Sequence, residues 1–205
     1  MKMYTTLLFK ESPFLVIILL GLLSITQNKP YVFGMIIIIC IYVVYFYRYS
    51  EYTKLHADNE IISPANGRII FIRQYGDLVQ MSIYLNLLNN HTQIYPANGL
   101  VVKRIYDLTG KFELLNNIYK SRFNEKKIHI MEMNNGNYLK LIQIAGYFPR
   151  RIVSSDLFPE NVIAGQYLGI IKFGSRVDLE FPGDISNLLV KKNQMLNIGD
   201  PIYNY

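Results

Sequence analysis

The sequence predicts a mainly β protein in which a compact domain of barrel or sandwich type follows an N-terminal hairpin of two membrane helices. Two long apolar runs occupy the first fifty residues, and the remaining chain alternates short strand-like runs with turn-forming residues. A length of 205 residues leaves room for one domain of ordinary size and a small appendage. We therefore predict a membrane hairpin over residues 1–50 and a β-rich domain over residues 51–205.

Apolar segments at residues 13–26 and 31–47 predict the two helices of the hairpin. Polar residues separate them, and Pro30 cannot continue a helix from upstream. Basic residues flank both open ends of the hairpin, whereas its turn carries only Lys29. The positive-inside tendency then predicts that these ends and the following domain lie on the cytoplasmic face of a membrane. A hairpin that enters only one leaflet would obey the same charge rule and stays an alternative.

The β-rich domain is predicted from short runs of Ile, Val, Tyr and Phe, separated by Asn-Gly, Gly-Asp and Pro. Strands at this spacing are typical of an antiparallel sandwich or barrel. No long segment keeps a helical period, although residues 111–120 and 186–191 have the composition of short helices. The predicted strands are residues 68–74, 79–85, 100–106, 127–133, 138–145, 166–173 and 177–181.

Charge and cysteine content exclude several classes of site. The formal net charge is +6, but the basic residues are scattered and do not form the clustered, aromatic-flanked patch that binds nucleic acid. Attraction to an anionic lipid surface is the simpler account. The single cysteine, Cys40, excludes a disulfide framework and a cysteine zinc site. His56, His91 and His129 lack metal-ligand spacing, so we expect no metal.

One tetrapeptide occurs twice, as Pro64-Ala65-Asn66-Gly67 and Pro96-Ala97-Asn98-Gly99, each time before a predicted strand. Turn chemistry accounts for both copies, because Asn-Gly adopts positive φ easily. Gly-centred turns at residues 162–166 and 196–201 also precede strands. Small β-barrel modules that carry lipoyl or biotinyl groups use such turns, so a module of that kind is kept as an alternative.

The strongest chemical signal is the segment at residues 172–179, which contains Phe-Gly-Ser-Arg-Val-Asp with Ser175 at its centre. This segment resembles the processing site of phosphatidylserine decarboxylases of the short, archaeal type. The resemblance covers nearly the whole chain. It includes the hairpin, residues 62–69, the stretch from His91 to Pro96, and residues 143–153.

The resemblance implies a proenzyme that cuts itself. Ser175 Oγ would attack the carbonyl carbon of Gly174, and breakage of the resulting ester would leave a pyruvoyl group derived from Ser175 as the covalent cofactor. The products would be a long chain, residues 1–174, and its partner, a 31-residue short chain, residues 175–205. The implied enzyme is a carboxy-lyase that converts phosphatidylserine to phosphatidylethanolamine, with the pyruvoyl group as electron sink.

The family pattern also implies supporting residues. His91 matches the basic histidine of a His-x-x-[His/Arg]-x-Pro stretch, and Asn66 stands where the family has the aspartate of Ser-Pro-Ala-Asp-Gly. Arg150 and Arg151 are the expected donors to the lipid phosphate or carboxylate. An asparagine cannot stabilise an imidazolium by charge, and Ile94 replaces the second basic position. These departures make a catalytically impaired pseudoenzyme one alternative, and a membrane-tethered β-barrel adaptor is another.

Two further carboxylates could replace the missing aspartate. Asp77 and Asp178 are the candidates, and Asp178 is expected to serve the fold. The expected partners are a phospholipid substrate and a membrane, with no nucleic acid. The sequence leaves a homo-oligomer open.

Overall fold

The computed structural model divides the chain into two compact units, Met1–Glu51 and Tyr52–Tyr205. The residues that the structure describes are 12–48, 52, 54–107, 118–121, 123–146, 152–154, 160–172 and 174–205.

The first unit contains the predicted hairpin as two helices, α1 (Pro13–Thr26) and α2 (Pro30–Phe46). Each helix begins at a proline, whose fixed φ suits the first helical position and whose missing N–H has no helical partner to lose. The Lys29 N–H donates to the Thr26 carbonyl oxygen across 2.8 Å and closes the turn. None of the helices in the described residues is long and apolar enough to cross a membrane. The hairpin is therefore confirmed as a helix pair but not as two membrane spans.

The second unit is mainly β, as predicted. Each of the seven predicted strands is present within two residues of its expected bounds. The described residues form the strands Glu60–Ile62 (β1), Gly67–Tyr75 (β2), Leu78–Leu85 (β3), Thr92–Ile94 (β4), Gly99–Asp107 (β5), Lys126–Met133 (β6), Tyr138–Ala145 (β7), Ile152–Ser154 (β8), Glu160–Val162 (β9), Tyr167–Ile171 (β10), Ser175–Pro182 (β11), Met195–Leu196 (β12) and Pro201–Asn204 (β13).

Helical structure in this unit is limited to short turns. A four-residue helix, α3, spans Ile118–Ser121, and a 3₁₀ turn spans Ile185–Asn187. Most of the helix predicted at residues 111–120 lies outside the described residues. The helix predicted at residues 186–191 is wrong beyond the 3₁₀ turn, because the backbone is already extended at Leu188.

Eight strands form one antiparallel sheet in the order β12-β2-β3-β11-β7-β6-β5-β9, and two small sheets, β1-β13 and β4-β10-β8, accompany it. One apolar core contains side chains from all three sheets. The sheets are not closed into a barrel, so the barrel form of the prediction is wrong. The edge strands β12 and β9 are only two and three residues long, which leaves few hydrogen bonds with which to close the sheet.

The strand pairing repeats within the unit. In a first set, β2 pairs with β3 and β12, β3 also pairs with β11, and β1 pairs with β13. In a second set, β5 pairs with β6 and β9, β6 also pairs with β7, and β10 pairs with β4 and β8. The second set is inserted between β3 and β11 of the first. Within the described residues, the chain passes between the sets at residues 86–91 and again between Lys172 and Ser175.

The two Pro-Ala-Asn-Gly copies mark equivalent positions of the two sets. They lie side by side, because Ile62 N–H donates to the Pro96 carbonyl at 2.9 Å and Ile94 N–H donates to the Pro64 carbonyl at 3.0 Å. The repeated tetrapeptide is thus part of a structural repeat. The positive φ expected for its Asn-Gly pairs is wrong, because Gly67 and Gly99 already belong to the extended strands β2 and β5.

Candidate active site

Ser175 is the first residue of β11 and lies at the second crossing between the two sets of strands. It pairs with Leu85 on β3 and with Ala145 on β7. Its side chain is on the apolar face of the sheet, because Val177, two residues on, belongs to the core. Ser175 Oγ is fully buried and has no hydrogen-bond partner within the described residues. An unsatisfied buried hydroxyl costs about 1–3 kcal/mol, so this position calls for a chemical explanation.

Gly174 has a left-handed backbone, with φ of +71°, at the turn into β11. Its carbonyl oxygen accepts a hydrogen bond from the backbone N–H of Gly146 across 2.8 Å. A fixed donor on this oxygen would stabilise the negative charge that develops there when a nucleophile attacks the carbonyl carbon. Sequence reasoning did not assign Gly146 to the site. The signal available was a glycine directly after the predicted strand at residues 138–145.

His91 lies at the first crossing, just before β4. Its carbonyl oxygen accepts from the Ile171 N–H at 3.3 Å, and Ile171 ends β10 four residues before Ser175. The His91 ring is buried, and its Nδ1 lies 2.9 Å from the Asn89 carbonyl oxygen. A carbonyl only accepts, so we assign the proton of the neutral ring to Nδ1 and the basic lone pair to Nε2. The two crossings therefore bring the His91 backbone beside the strand that leads to Ser175.

Comparison with known proteins identifies the family. A family model described as phosphatidylserine decarboxylase matches residues 40–204. The protein named phosphatidylserine decarboxylase proenzyme from Rickettsia typhi is 37% identical over 173 residues, which cover 79% of this chain and 74% of that protein. Its namesake from Rickettsia akari is 36% identical over 169 residues, covering 78% and 72%. The chain belongs to the phosphatidylserine decarboxylase family.

The match to the phosphatidylserine decarboxylase family begins inside α2 and continues to the last strand. It therefore includes Asn66, His91, Gly174 and Ser175 but excludes most of the hairpin. No solved structure matches the chain.

Asn66 occupies the position at which the decarboxylase pattern has an aspartate. Its Oδ1 accepts from the backbone N–H of Ile198 at 2.9 Å, so the hydrogen bond described for Asn66 serves a turn of the first set. The equivalent residue of the second set, Asn98, accepts from the Ala164 N–H at 2.7 Å in the same way. The predicted support of His91 by Asn66 stays a prediction.

The other predicted residues of the decarboxylase site have different surroundings. Ile94, which stands at the second basic position of the pattern, is buried against Ile62 in a small apolar cluster. Arg150 and Arg151 lie outside the described residues.

The two alternative carboxylates lie away from Ser175 in this decarboxylase fold. Asp178 is on the opposite face of β11, where both of its oxygens accept from Arg176 at 2.9 Å. Burial raises the pKa of Asp178, although the Arg176 guanidinium opposes this effect. Asp77 lies in the turn before Leu78, at the far end of β3, roughly 26 Å along the strand direction from Ser175. The expectation that Asp178 serves the fold agrees with its ion pair.

Proposed function

We propose that this protein decarboxylates phosphatidylserine to phosphatidylethanolamine after cutting itself between Gly174 and Ser175. Family membership supports the decarboxylation. One observation supports the cut: the buried Ser175 hydroxyl, which has no hydrogen bond within the described residues, adjoins a carbonyl that already accepts from the Gly146 N–H. A nucleophile beside a polarised carbonyl is the arrangement that acyl transfer requires.

The cut proceeds in three steps. Ser175 Oγ loses its proton to a base and bonds to the Gly174 carbonyl carbon, and the peptide C–N bond breaks as the nitrogen takes up a proton. The ester then loses the Ser175 α-proton. The bond between Ser175 Cβ and Oγ breaks, which gives a Gly174 carboxylate that retains Oγ and a dehydroalanine at position 175. Water hydrolyses the dehydroalanine to a pyruvoyl group and ammonia.

His91 is the proposed base for the first step. Its Nδ1 is held by the Asn89 carbonyl, which directs the basic lone pair to Nε2. A histidine has the pKa range that proton transfer near neutral pH favours. Gly146 contributes the oxyanion donor, and one such donor is commonly worth roughly 100-fold to 1,000-fold in rate.

The residues around position 175 suit a covalent keto group. The pyruvoyl carbonyl supplies the electron sink for loss of carbon dioxide from the lipid headgroup. Leu85 and Ala145 flank position 175 on either side and are fully or almost fully buried, so the new end of the chain has apolar neighbours. Arg150 and Arg151 are proposed to bind the headgroup phosphate or carboxylate as bidentate donors.

The short chain is proposed to remain bound after the cut. Its strand β11 has neighbours on both sides, β3 and β7, and its strands β12 and β13 pair with β2 and β1. Residues 175–205 therefore keep ladder hydrogen bonds to residues 1–174 without the peptide bond.

Membrane association on the cytoplasmic face is part of the proposal, because the substrate is a lipid. The side chains of α1 and α2 are almost entirely apolar, and many of them are exposed within the hairpin, including Phe14, Ile25 and Tyr31. Such a surface is suited to acyl chains rather than to water.

Intact-mass measurement of the purified protein tests the cut. We expect two chains that divide after Gly174, a short chain that reacts with a carbonyl reagent, and an uncut chain for Ser175→Ala. Phosphatidylserine vesicles then test turnover by release of carbon dioxide. An uncut wild-type chain would reject the proposal.

The pseudoenzyme alternative is favoured by Asn66 and Ile94, which remove a charge and a basic group from the family pattern. It predicts a different outcome in the same assay: folded protein that is uncut, or cut but unable to release carbon dioxide from phosphatidylserine.

A further inference from the structure

Four polar side chains form a row through the interior of the second set of strands, and we call them the core row: Gln93, Arg104, His129 and Gln143. Gln93, His129 and Gln143 are fully buried. Polar groups in such surroundings are costly unless each finds a partner. The core row is outside the chemistry proposed above, so its presence needs a separate explanation.

The core row has a fixed hydrogen-bond direction because it begins at an arginine, which can only donate. Arg104 Nε donates to His129 Nδ1 at 3.2 Å, so a neutral His129 carries its proton on Nε2. That Nε2 donates to Gln143 Oε1 at 3.0 Å. Gln143 Nε2 then donates to Gln93 Oε1 at 2.9 Å. The side-chain amide orientations of Gln143 and Gln93 are therefore both set by the donor at Arg104.

The row ends at His91. Gln93 Nε2 donates to the His91 carbonyl oxygen at 2.5 Å, and the same oxygen accepts from the Ile171 N–H at 3.3 Å. At the other end, Arg104 is held by Glu160 and by the Tyr95 hydroxyl at 2.7 Å. The backbone of His91 is thus connected to β10 on one side and to a directed chain of side chains on the other.

We propose that the core row positions His91 for self-cleavage, with His129 and Gln143 as positioning residues. This inference rests on the proposed cut at Gly174. An imidazole transfers a proton only when its nitrogen is within hydrogen-bond reach, and a misplacement of about 1 Å can reduce the rate roughly 100-fold. The row fixes the main chain from which the imidazole projects.

Stability and positioning can be separated at Gln143. Removing one buried partner leaves the groups that it bonded unsatisfied, at a cost of about 1–3 kcal/mol, and a domain with the usual stability of roughly 5–15 kcal/mol can remain folded at that cost. Gln143→Met keeps the volume and removes both hydrogen bonds. We expect a precursor that melts cooperatively but cuts itself roughly 10-fold to 100-fold more slowly than wild type. Gln80→Met, on the opposite face of the sheet, is the matched control and should cut at the wild-type rate.

Gln143→Glu tests the direction of the row. A carboxylate accepts from His129 but cannot donate to Gln93, whereas a protonated carboxyl can do both. The cleavage rate of this variant relative to wild type should therefore rise as the pH falls, and that of Gln143→Met should not. A purely structural role would not produce this difference.

Among the described residues, charged and titratable groups near position 143 are found on β5, on β6 and just before β4, while Tyr95 and Glu160 contact Arg104 at the far end of the row. Lys127 and His129 are on β6, with Lys127 directly opposite Gln143 in the ladder, Arg104 is on β5, and His91 precedes β4. Wild type carries the same groups. Their titration therefore affects the cleavage rates of wild type and of Gln143→Glu alike, and it cancels to first order in the ratio of the two rates.

The outcomes separate the two proposals. An uncut wild-type chain would reject the proposed function itself. If wild type cuts itself and both Gln143 variants match its rate, the positioning role is wrong while the proposed function stands. Gln93→Met removes the donor to the His91 carbonyl oxygen together with the acceptor of Gln143 Nε2, and it serves as a second variant. Loss of the cooperative melting transition in all three variants would also overturn the inference, because the row would then serve the fold.

Discussion

Asn66 and Asn98 occupy equivalent positions in the two sets of strands, and the side chain of each accepts a hydrogen bond from a backbone N–H. The donor to Asn66 is Ile198, and the donor to Asn98 is Ala164. An aspartate carboxylate could accept the same hydrogen bond. The asparagine at position 66 therefore departs from the family pattern in charge and not in its ability to hold the turn.

The first prediction separates the turn from the charge at position 66. Asn66→Ala should lower the free energy of unfolding by about 1 kcal/mol, because the partly buried Ile198 N–H loses its acceptor. The stability of Asn66→Asp should remain within about 0.5 kcal/mol of wild type, because its carboxylate accepts that N–H. The same variant should cut itself roughly tenfold faster, because the carboxylate stabilises the imidazolium that forms when His91 takes the Ser175 proton. Urea unfolding and timed intact-mass measurement provide the two values. An unchanged rate in Asn66→Asp would show that the position serves the turn alone.

The second prediction concerns the left-handed backbone at Gly174. A Cβ there would meet no atom within 4 Å, so Gly174→Ala suffers only the backbone strain of about 1–2 kcal/mol. The strain should move the carbonyl away from Gly146 and slow the cut roughly 100-fold. Gly136→Ala is the matched control, with φ of +82° and equally open space in a distant turn. Gly136→Ala should lose as much stability as Gly174→Ala but should cut itself at the wild-type rate. Equal cleavage rates in the two variants would contradict the oxyanion role of Gly146.

The third prediction concerns Tyr52, whose ring lies between Gly165 and Gly199. A Cβ on Gly199 would lie 2.1 Å from the ring, so Gly199→Ala combines overlap with backbone strain. We expect a loss of about 3 kcal/mol in the free energy of unfolding, larger than that of Gly136→Ala. The loss should shrink in a Tyr52→Ala background, as a double-mutant cycle by urea unfolding would measure. Additive losses would mean that the ring moves aside at no cost.

The fourth prediction is an alkaline loss of stability at Tyr95. Burial raises the pKa of Tyr95 from its usual 10 to about 12, and the nearby Arg104 opposes this effect. Above about pH 10 the unfolded chain releases this proton while the folded chain retains it, so the free energy of unfolding falls until about pH 12. Tyr95→Phe should therefore lose less stability than wild type between about pH 9 and about pH 11 in urea unfolding. Tyr75→Phe, at an exposed position, is the control, and identical slopes in the two variants would refute the assignment.

The long strands could be predicted from the sequence because their alternation of apolar and polar residues is local. The short strands could not, since two to four residues carry too little pattern. β1 is an example, because it exists through pairing of Glu60 with Asn204 at the other end of the chain. The open sheet has the same cause: its edges depend on strands that the sequence does not reveal.

The same difference between local and long-range information separates the site residues that the sequence predicted from those that it did not. Gly174, Ser175 and His91 were identified because they belong to contiguous motifs. Gly146 and the core row were not, because their contacts join distant segments. The hydrogen bond between Gln143 and Gln93, for example, spans 50 positions of the chain. Likewise, the turn that Asn66 holds lies 132 positions away, which no local pattern indicates.

The two crossings between the sets of strands have a consequence for refolding. The intact precursor holds the inserted set at both ends, so after denaturation it can regain its structure as a single molecule, at a rate independent of concentration. The proposed cut between Gly174 and Ser175 opens the second crossing, and the 31-residue piece must then be recaptured by collision. The uncut precursor would therefore refold at any concentration, whereas the cut protein, once denatured, would fail to reassemble its two chains in dilute solution.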